Sequence, residues 1–263
     1  MPEDSEAFVG VDAVIHLVGI AHIRADDAMY REVNINLARR MAALAAKASV
    51  KRFIFASSIH VHGRWSVSPI SPASPMHPVT AGGRSKMEAE FHLMNDLGGS
   101  DTQLAIVRLP LVYGPRAPAN FGQLLRAAAM GLPLPLGSAT GVRSIVSLAN
   151  ASDAFVHLAL RGHTTGSPRI LIPADGEDLQ VRELYRCLCL AAGHKTSPIP
   201  VNLSIVKGLL AVLGRAETYE SLFLPAVVDR RHWEPIGWSP PEKVRAALGA
   251  AMGQQMPETE SGA

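Results

Sequence analysis

Apolar and polar positions along this chain follow two periods, one of a sheet and one of a helix. Asp12-Ala13-Val14-Ile15-His16-Leu17-Val18-Gly19 is a β-branched, apolar run bounded by turn residues. Such a run predicts a parallel strand buried on both faces. After a polar turn with Asp26 and Asp27, the residues Met29, Val33, Leu37, Met41 and Leu44 recur at helical spacing. They predict one apolar stripe with Arg31, Arg39 and Arg40 outside it. A second apolar run, Arg52-Phe53-Ile54-Phe55-Ala56, ends abruptly in Ser57-Ser58 and the irregular segment Ile59-His60-Val61-His62-Gly63. Strand, helix and strand in this order form a βαβ unit with a right-handed crossover. In such sheets, ligands sit at the carboxyl ends of the strands.

Beyond Gly63 the pattern loosens. Residues 64–81 are rich in proline and serine and predict an irregular surface loop. Arg84 to Leu97 predicts a helix with Met87, Phe91 and Met94 on one face, and Leu104 to Leu109 a third strand broken at Pro110. Leu111-Val112-Tyr113-Gly114-Pro115 reads as a loop, Phe121 to Met130 as a short helix, and Gly131 to Pro135 as an extended connector. Arg143 to Leu148 predicts a strand, with Asn150 to Asp153 capping a helix over Ala154–Leu160. One more strand is expected at Arg169 to Ile172, then helices at Val181–Ala192 and Leu203–Leu213. Trp233 and Trp238 read as packing anchors of the helical region they sit in, and His16 as a buried strand histidine.

The fold class implied is α/β, a Rossmann-like parallel sheet with a smaller, mostly helical lobe. Residues 1–115 are expected to form the sheet domain, with 143–172 returning to it. Residues 116–142 and 173–252 form the lobe, and 253–263 a tail.

Composition narrows the function classes. The 263 residues are 48% hydrophobic and 18% charged, as in a globular enzyme rather than a disordered chain. The net charge of +2, without runs of like charge, gives no case for nucleic acid or a membrane surface. No apolar run approaches the roughly 20 residues of a membrane span. Cys187 and Cys189 match no metal-ligand or redox pattern and read as free thiols, which suits a reducing cytoplasm. No metal site is expected.

Several motifs occur in a fixed order. They are His16-Leu17-Val18-Gly19, Asn34, Phe55-Ala56-Ser57-Ser58 with Val61-His62-Gly63, and Arg84-Ser85-Lys86-Met87-Glu88-Ala89-Glu90. Arg108-Leu109-Pro110-Leu111-Val112-Tyr113-Gly114-Pro115 and Gly237-Trp238-Ser239-Pro240-Pro241 follow. In this order the chain resembles the extended short-chain dehydrogenase/reductases, in their nucleotide-sugar epimerase/dehydratase branch. From Asn120-Phe121 to Arg143-Ser144 it is similar to bacterial UDP-glucose 4-epimerase-like proteins of surface-polysaccharide synthesis.

The resemblance implies a bound NAD or NADP and a nucleotide-diphosphate sugar. It makes Ser58 the hydroxyl that hydrogen-bonds the reacting oxygen and Lys86 the lysine that holds the nicotinamide ribose. Leu17, Val18, Gly19, Asn34, Ser57, Pro110 and Val112 would line the cofactor cleft, and Asn120 and Arg143 would contact the diphosphate. In that family a tyrosine four residues before the lysine takes the sugar's proton, its pKa lowered by the ammonium.

Two departures bear on activity. Position 82 is glycine, and none of Tyr30, Tyr113, Tyr185 and Tyr219 has a lysine four residues on. His60 and His62 are the nearby alternatives for a base. Moreover, no two glycines are spaced to write GxGxxG or GxxGxxG, the loop that cradles a pyrophosphate. The first strand here matches the fourth of the family fold, so the chain is expected to lack the opening strands. The expected function is an epimerase/dehydratase homologue with impaired chemistry. The alternative is a non-catalytic remnant or interaction subunit that keeps a nucleotide-sugar lobe. The first strand would then stand at an exposed edge and favour self-association.

Overall fold

The computed structural model describes residues 5–20, 25–161, 169–212, 214 and 216–253. The tail expected over 253–263 lies outside them from residue 254 onward.

Strands β1 (Ala13–His16), β2 (Arg52–Ser58), β3 (Gln103–Leu109) and β7 (Arg169–Leu171) form one parallel sheet in that order. Alternation along β2 explains its two-sided burial. Phe53 and Phe55 face a layer built by α2 (Leu37–Lys47) and α3 (Ala81–Leu97), with Ile35, Met41, Ala45 and Leu93 in the same cluster. Ile54 and Ala56 face α5 (Leu148–Leu160) together with Ile70, Trp233 and Trp238. The two indoles meet edge to face at 5.0 Å, so both tryptophans are packing anchors, although against the sheet rather than inside a separate lobe.

A third cluster gathers β4 (Leu111–Tyr113), α4 (Ala119–Ala129), β6 (Ile145–Ser147), β8 (Leu179–Gln180), α6 (Val181–Ala191) and α9 (Val244–Gly253). There β4 pairs with β6 in parallel, and β5 (Val142–Arg143) pairs antiparallel with β8. The helices α7 (Leu203–Val212) and α8 (Ala216–Phe223) pack on each other.

Several expectations from the pattern are corrected. Among the described residues β1 stands at the sheet edge, and it is not buried on both faces, since Ile15 is 37% exposed. The helix expected from Met29 onward is broken in character. Asp27–Tyr30 is α-helical (α1), Arg31–Asn36 is a π-turn, and α2 follows without a gap. The wider turn shifts the register, so Met29 leaves the stripe (49% exposed) and the buried face runs through Asn34, Ile35, Ala38, Met41, Ala42 and Ala45.

On α3 the expected face is not the most buried one, although Met94 packs partly buried against the core. Phe91 is 48% exposed, while Gly83, Ser85, Lys86, Ala89, Glu90, Leu93 and Leu97 are buried. Leu111–Tyr113 is a strand, not a loop, and α5 begins at Leu148 with Ser147 as its cap, its hydroxyl accepting from Asn150 N at 3.1 Å. The 64–81 stretch is irregular but not wholly superficial. Ile70 is buried, and its N–H donates to Val227 O at 2.7 Å.

Candidate active site

The carboxyl ends of β1 and β2 meet the start of α3 around Lys86. Strand alternation sends the neighbouring serines at the end of β2 to opposite faces. Ser57 turns inward and donates to the Glu90 carboxylate. Ser58 is half-buried on the other side, and its hydroxyl accepts from His60 N at 3.2 Å, capping the short 3₁₀ turn Ile59–His62.

That turn packs directly on α3. Thr80 caps α3 by accepting from Gly83 N at 3.0 Å. A Cβ at Gly83 would stand 2.7 Å from His60 O, so only glycine lets the backbones approach this closely.

Lys86 lies one turn further along α3, on the face it shares with Gly82. Its Nζ donates to Ala56 O at 2.8 Å and sits 4.6 Å over the Phe55 ring. The side chain is 8% exposed, and burial, partly opposed by the Glu90 carboxylate, pulls its pKa down to about 8. One N–H of the ammonium serves Ala56, which leaves others to offer a ligand.

Asn34 fastens the end of β1 to α3. Its Oδ1 accepts from Ile20 N at 2.7 Å, and its Nδ2 donates to Ser85 Oγ at 2.8 Å and to Ile20 O at 3.3 Å. Beside it a Cβ on Gly19 would stand 2.7 Å from Lys86 Nζ and 3.1 Å from Asn34 Oδ1. Glycine 19 therefore admits the lysine head to the strand end. Leu17 and Val18 are exposed there, Pro110 is buried and Val112 is half-buried.

Behind Ser57 lies a charged group that the hydrophobic pattern did not single out. Arg108, 2% exposed, donates from Nη2 to Glu90 Oε2 at 2.7 Å and from Nε to both carboxylate oxygens. Its Nη1 reaches His62 Nε2 at 3.0 Å and Pro72 O at 3.0 Å. The available signal was an arginine inside the apolar run of β3.

The expected site residues are therefore not equivalent. Gly19, Asn34 and Lys86 stand together, with Leu17 and Val18 just before Gly19 in the chain, while Ser58 caps the turn after β2 and Ser57 belongs to the buried charged group. His62 is locked by Arg108 and Pro75 O, whereas His60 is exposed. Asn120 is exposed on the first turn of α4. Arg143 is engaged elsewhere. Its Nε donates to Ser221 O at 2.7 Å, Nη2 to Glu220 O at 3.0 Å and Leu224 O at 3.3 Å, and Nη1 to Arg64 O at 3.4 Å. It closes the carboxyl end of α8.

His16 is buried between Phe53 and Phe55, ring centroids 5.9 and 6.0 Å away, and its Nε2 has no hydrogen-bond partner among the described residues. Burial, reinforced by the Lys86 charge, lowers its pKa to about 4. Among the described residues no cluster of three metal-ligating side chains exists, and no helix is long and apolar enough to cross a membrane.

A nicotinamide ribose fits the spare donors of Lys86 and the bare backbone of Gly19 beside them. A pyrophosphate does not find its usual partner, since no glycine-rich strand-to-helix turn occurs among the described residues.

Comparison with known proteins bears on the family and the fold. The model of the "NAD dependent epimerase/dehydratase family" matches residues 3–172. The chain is 33% identical over 241 residues to UDP-glucose 4-epimerase of Vibrio cholerae, spanning 88% of this chain and 73% of that protein. It is 29% identical over 184 residues to the N-acetyl-alpha-D-glucosaminyl-diphospho-ditrans,octacis-undecaprenol 4-epimerase of Escherichia coli O157:H7, covering 68% of this chain and 54% of that one. The fold matches UDP-glucuronic acid 4-epimerase from Bacillus cereus in complex with NAD, with a TM-score of 0.75 at 17% identity over 95% of this chain and 76% of that one.

Proposed function

This chain belongs to the NAD-dependent epimerase/dehydratase family, and from that premise we propose that it binds a sugar carried on a diphosphate, of the UDP-sugar class, with its redox chemistry at the sugar impaired. The two curated relatives described above are 4-epimerases of diphosphate-linked sugars, which supports this substrate class. One observation supports the reading: Lys86 is buried with its ammonium on Ala56 O near the end of β2, while position 82 on the same face of α3 holds no side chain.

NAD, when bound, supplies a hydride acceptor for the sugar carbon. The chain's own residues would act around it. Lys86 holds the nicotinamide ribose through its spare donors, with Leu17, Val18, Gly19, Pro110 and Val112 as the surrounding wall. Asn34 keeps the β1 end and α3 at fixed spacing. Ser58 donates to the reacting sugar oxygen. Residues 116–142 and 173–252, apart from the stretch around Trp233 and Trp238 that packs on the sheet, form the sugar-nucleotide lobe, where Asn120 would hydrogen-bond the diphosphate. Arg143 lends it positive charge from the place where the α8 carbonyls hold it. Glycine 82 offers no group to take the sugar's proton, and loss of a positioned base costs on the order of 10²–10⁴-fold in rate. The free Cys187 and Cys189 are consistent with action in the cytoplasm.

Calorimetry with UDP-glucose and with NADH, followed by an epimerisation assay with added NAD, tests the reading. UDP-glucose is expected to bind, NADH to bind weakly, and turnover to be slow or undetectable. A low-micromolar NADH dissociation constant, or turnover at a typical enzymatic rate, would sink the impairment.

A further inference from the structure

The space above Gly82 is not empty of chemistry. A Cβ placed there would stand 3.7 Å from Tyr30 Cε1 and 3.9 Å from its Oη, ordinary contact distances. The phenolic end of Tyr30 therefore lies against the α3 face that Gly82 shares with Lys86.

The route by which Tyr30 arrives is specific. It is the last residue of α1, directly before the π-turn Arg31–Asn36. Asn34 inside that turn donates to Ser85 Oγ, and Ser85 Oγ donates to Gly82 O at 2.9 Å. Two residues of one helical segment thus address the first turn of α3, Asn34 at Ser85 and Tyr30 at Gly82. π-turns occur mostly as single-turn bulges and frequently at functional sites. Here the turn contains the braced amide of Asn34 and directly follows the phenol that packs against Gly82.

We propose that Tyr30 supplies, from the neighbouring helix, the phenolic hydroxyl that position 82 lacks, and that this hydroxyl hydrogen-bonds the sugar ring of the bound nucleotide sugar. The inference rests on the nucleotide-sugar reading above and adds a sugar-contacting residue to it. The role is recognition rather than proton removal, so slow turnover and a tyrosine-dependent sugar affinity go together.

The test compares UDP with UDP-glucose by calorimetry on the full chain, wild type and Tyr30→Phe. The phenylalanine keeps the ring against Gly82 and removes only the oxygen. UDP is expected to bind both proteins equally. UDP-glucose is expected to bind the wild type more tightly than UDP does, and Tyr30→Phe to lose up to about tenfold of that gain, the net worth of one hydrogen bond. Equal UDP-glucose affinity in the two proteins overturns the role of Tyr30, as does a wild type that binds UDP-glucose no better than UDP; either leaves the nucleotide-sugar reading standing. Failure of UDP and UDP-glucose alike to bind the wild type overturns that reading itself, and this proposal with it.

Discussion

Arg108 Nη1 stands 3.0 Å from His62 Nε2, and because a guanidinium only donates, that imidazole nitrogen accepts. The other ring nitrogen must then carry the proton and donate to Pro75 O at 3.0 Å. Both nitrogens are committed, and desolvation pushes the pKa down, so His62 is a neutral strut and not a base. His62→Gln is expected to leave sugar-nucleotide affinity unchanged within a few-fold while lowering the thermal midpoint. A tenfold loss of affinity with an unchanged melt would contradict the strut.

The same cluster holds a fully buried ion pair. Glu90→Gln or Arg108→Met strands one charge in the interior and is expected to cost about 3–5 kcal/mol. The double variant Glu90→Met with Arg108→Met, in which no charge is left unpaired, should recover much of that loss. Urea unfolding of the three proteins measures it. A double variant as unstable as the worse single one would mean that packing, not charge, dominates.

Lys86 is a buried cation whose folded pKa of about 8 lies below its ordinary value of 10.5. The unfolded chain therefore binds the proton more tightly, and the burden on the fold is complete below pH 8. Stability should rise as pH climbs from 8 towards 10.5. Lys86→Met should remove that rise and, at pH 7, match or exceed the wild type despite losing the bond to Ala56 O. Melting curves across this range decide it, and parallel pH profiles for the two proteins would refute it.

His16 behaves in the opposite part of the scale. Held neutral down to about pH 4 in the fold, it protonates near 6.5 once unfolded. The fold should lose about 3 kcal/mol as pH falls through that window. His16→Phe, stacked between the same rings, should flatten the acid limb. A variant with unchanged acid sensitivity would assign the loss to other groups.

β1 presents its free edge with Ile15 partly exposed and Leu17 and Val18 beyond it. Among the described residues α2 and α5 pack on its two faces, and the 3₁₀ turn Ser5–Phe8 buries Phe8 against α2 rather than over the edge. An uncovered apolar edge pairs readily. Light scattering on a sizing column is expected to show the 263-residue chain self-associated, and Ile15→Lys to reduce this. A monodisperse wild-type monomer would rule it out.

The parallel sheet was legible because it depends on local signals: apolar runs that stop, and helices that start beside them. The inward face of α3 was not, because burial there falls on Gly83, Ser85, Lys86 and Glu90, residues that a hydrophobic pattern assigns to the surface. Glu90 is buried because Arg108 neutralises it across 18 positions, and single-segment patterns carry no trace of such pairing. β4 went unread because Pro110 suggests a break, yet the chain resumes a ladder with β6 at once. Arg143 has the residue type for phosphate, but only the folded chain shows its donors turned to α8. The contact of Tyr30 with Gly82 depends on a π-turn for which the spacing of apolar residues gives no sign.

That turn also ties function to chain length. An α-helix advances about 100° and 1.5 Å per residue. Deleting one residue from Arg31–Asn36 would let the segment relax into regular helix without disturbing α2. Everything before the deletion would then swing by roughly that angle, and Tyr30 would rotate away from Gly82 even if every side chain named here were kept. In relatives of this chain, the spacing between the aromatic and the buried asparagine would therefore matter as much as their identities, and a one-residue gap in an alignment would mark a different sugar site.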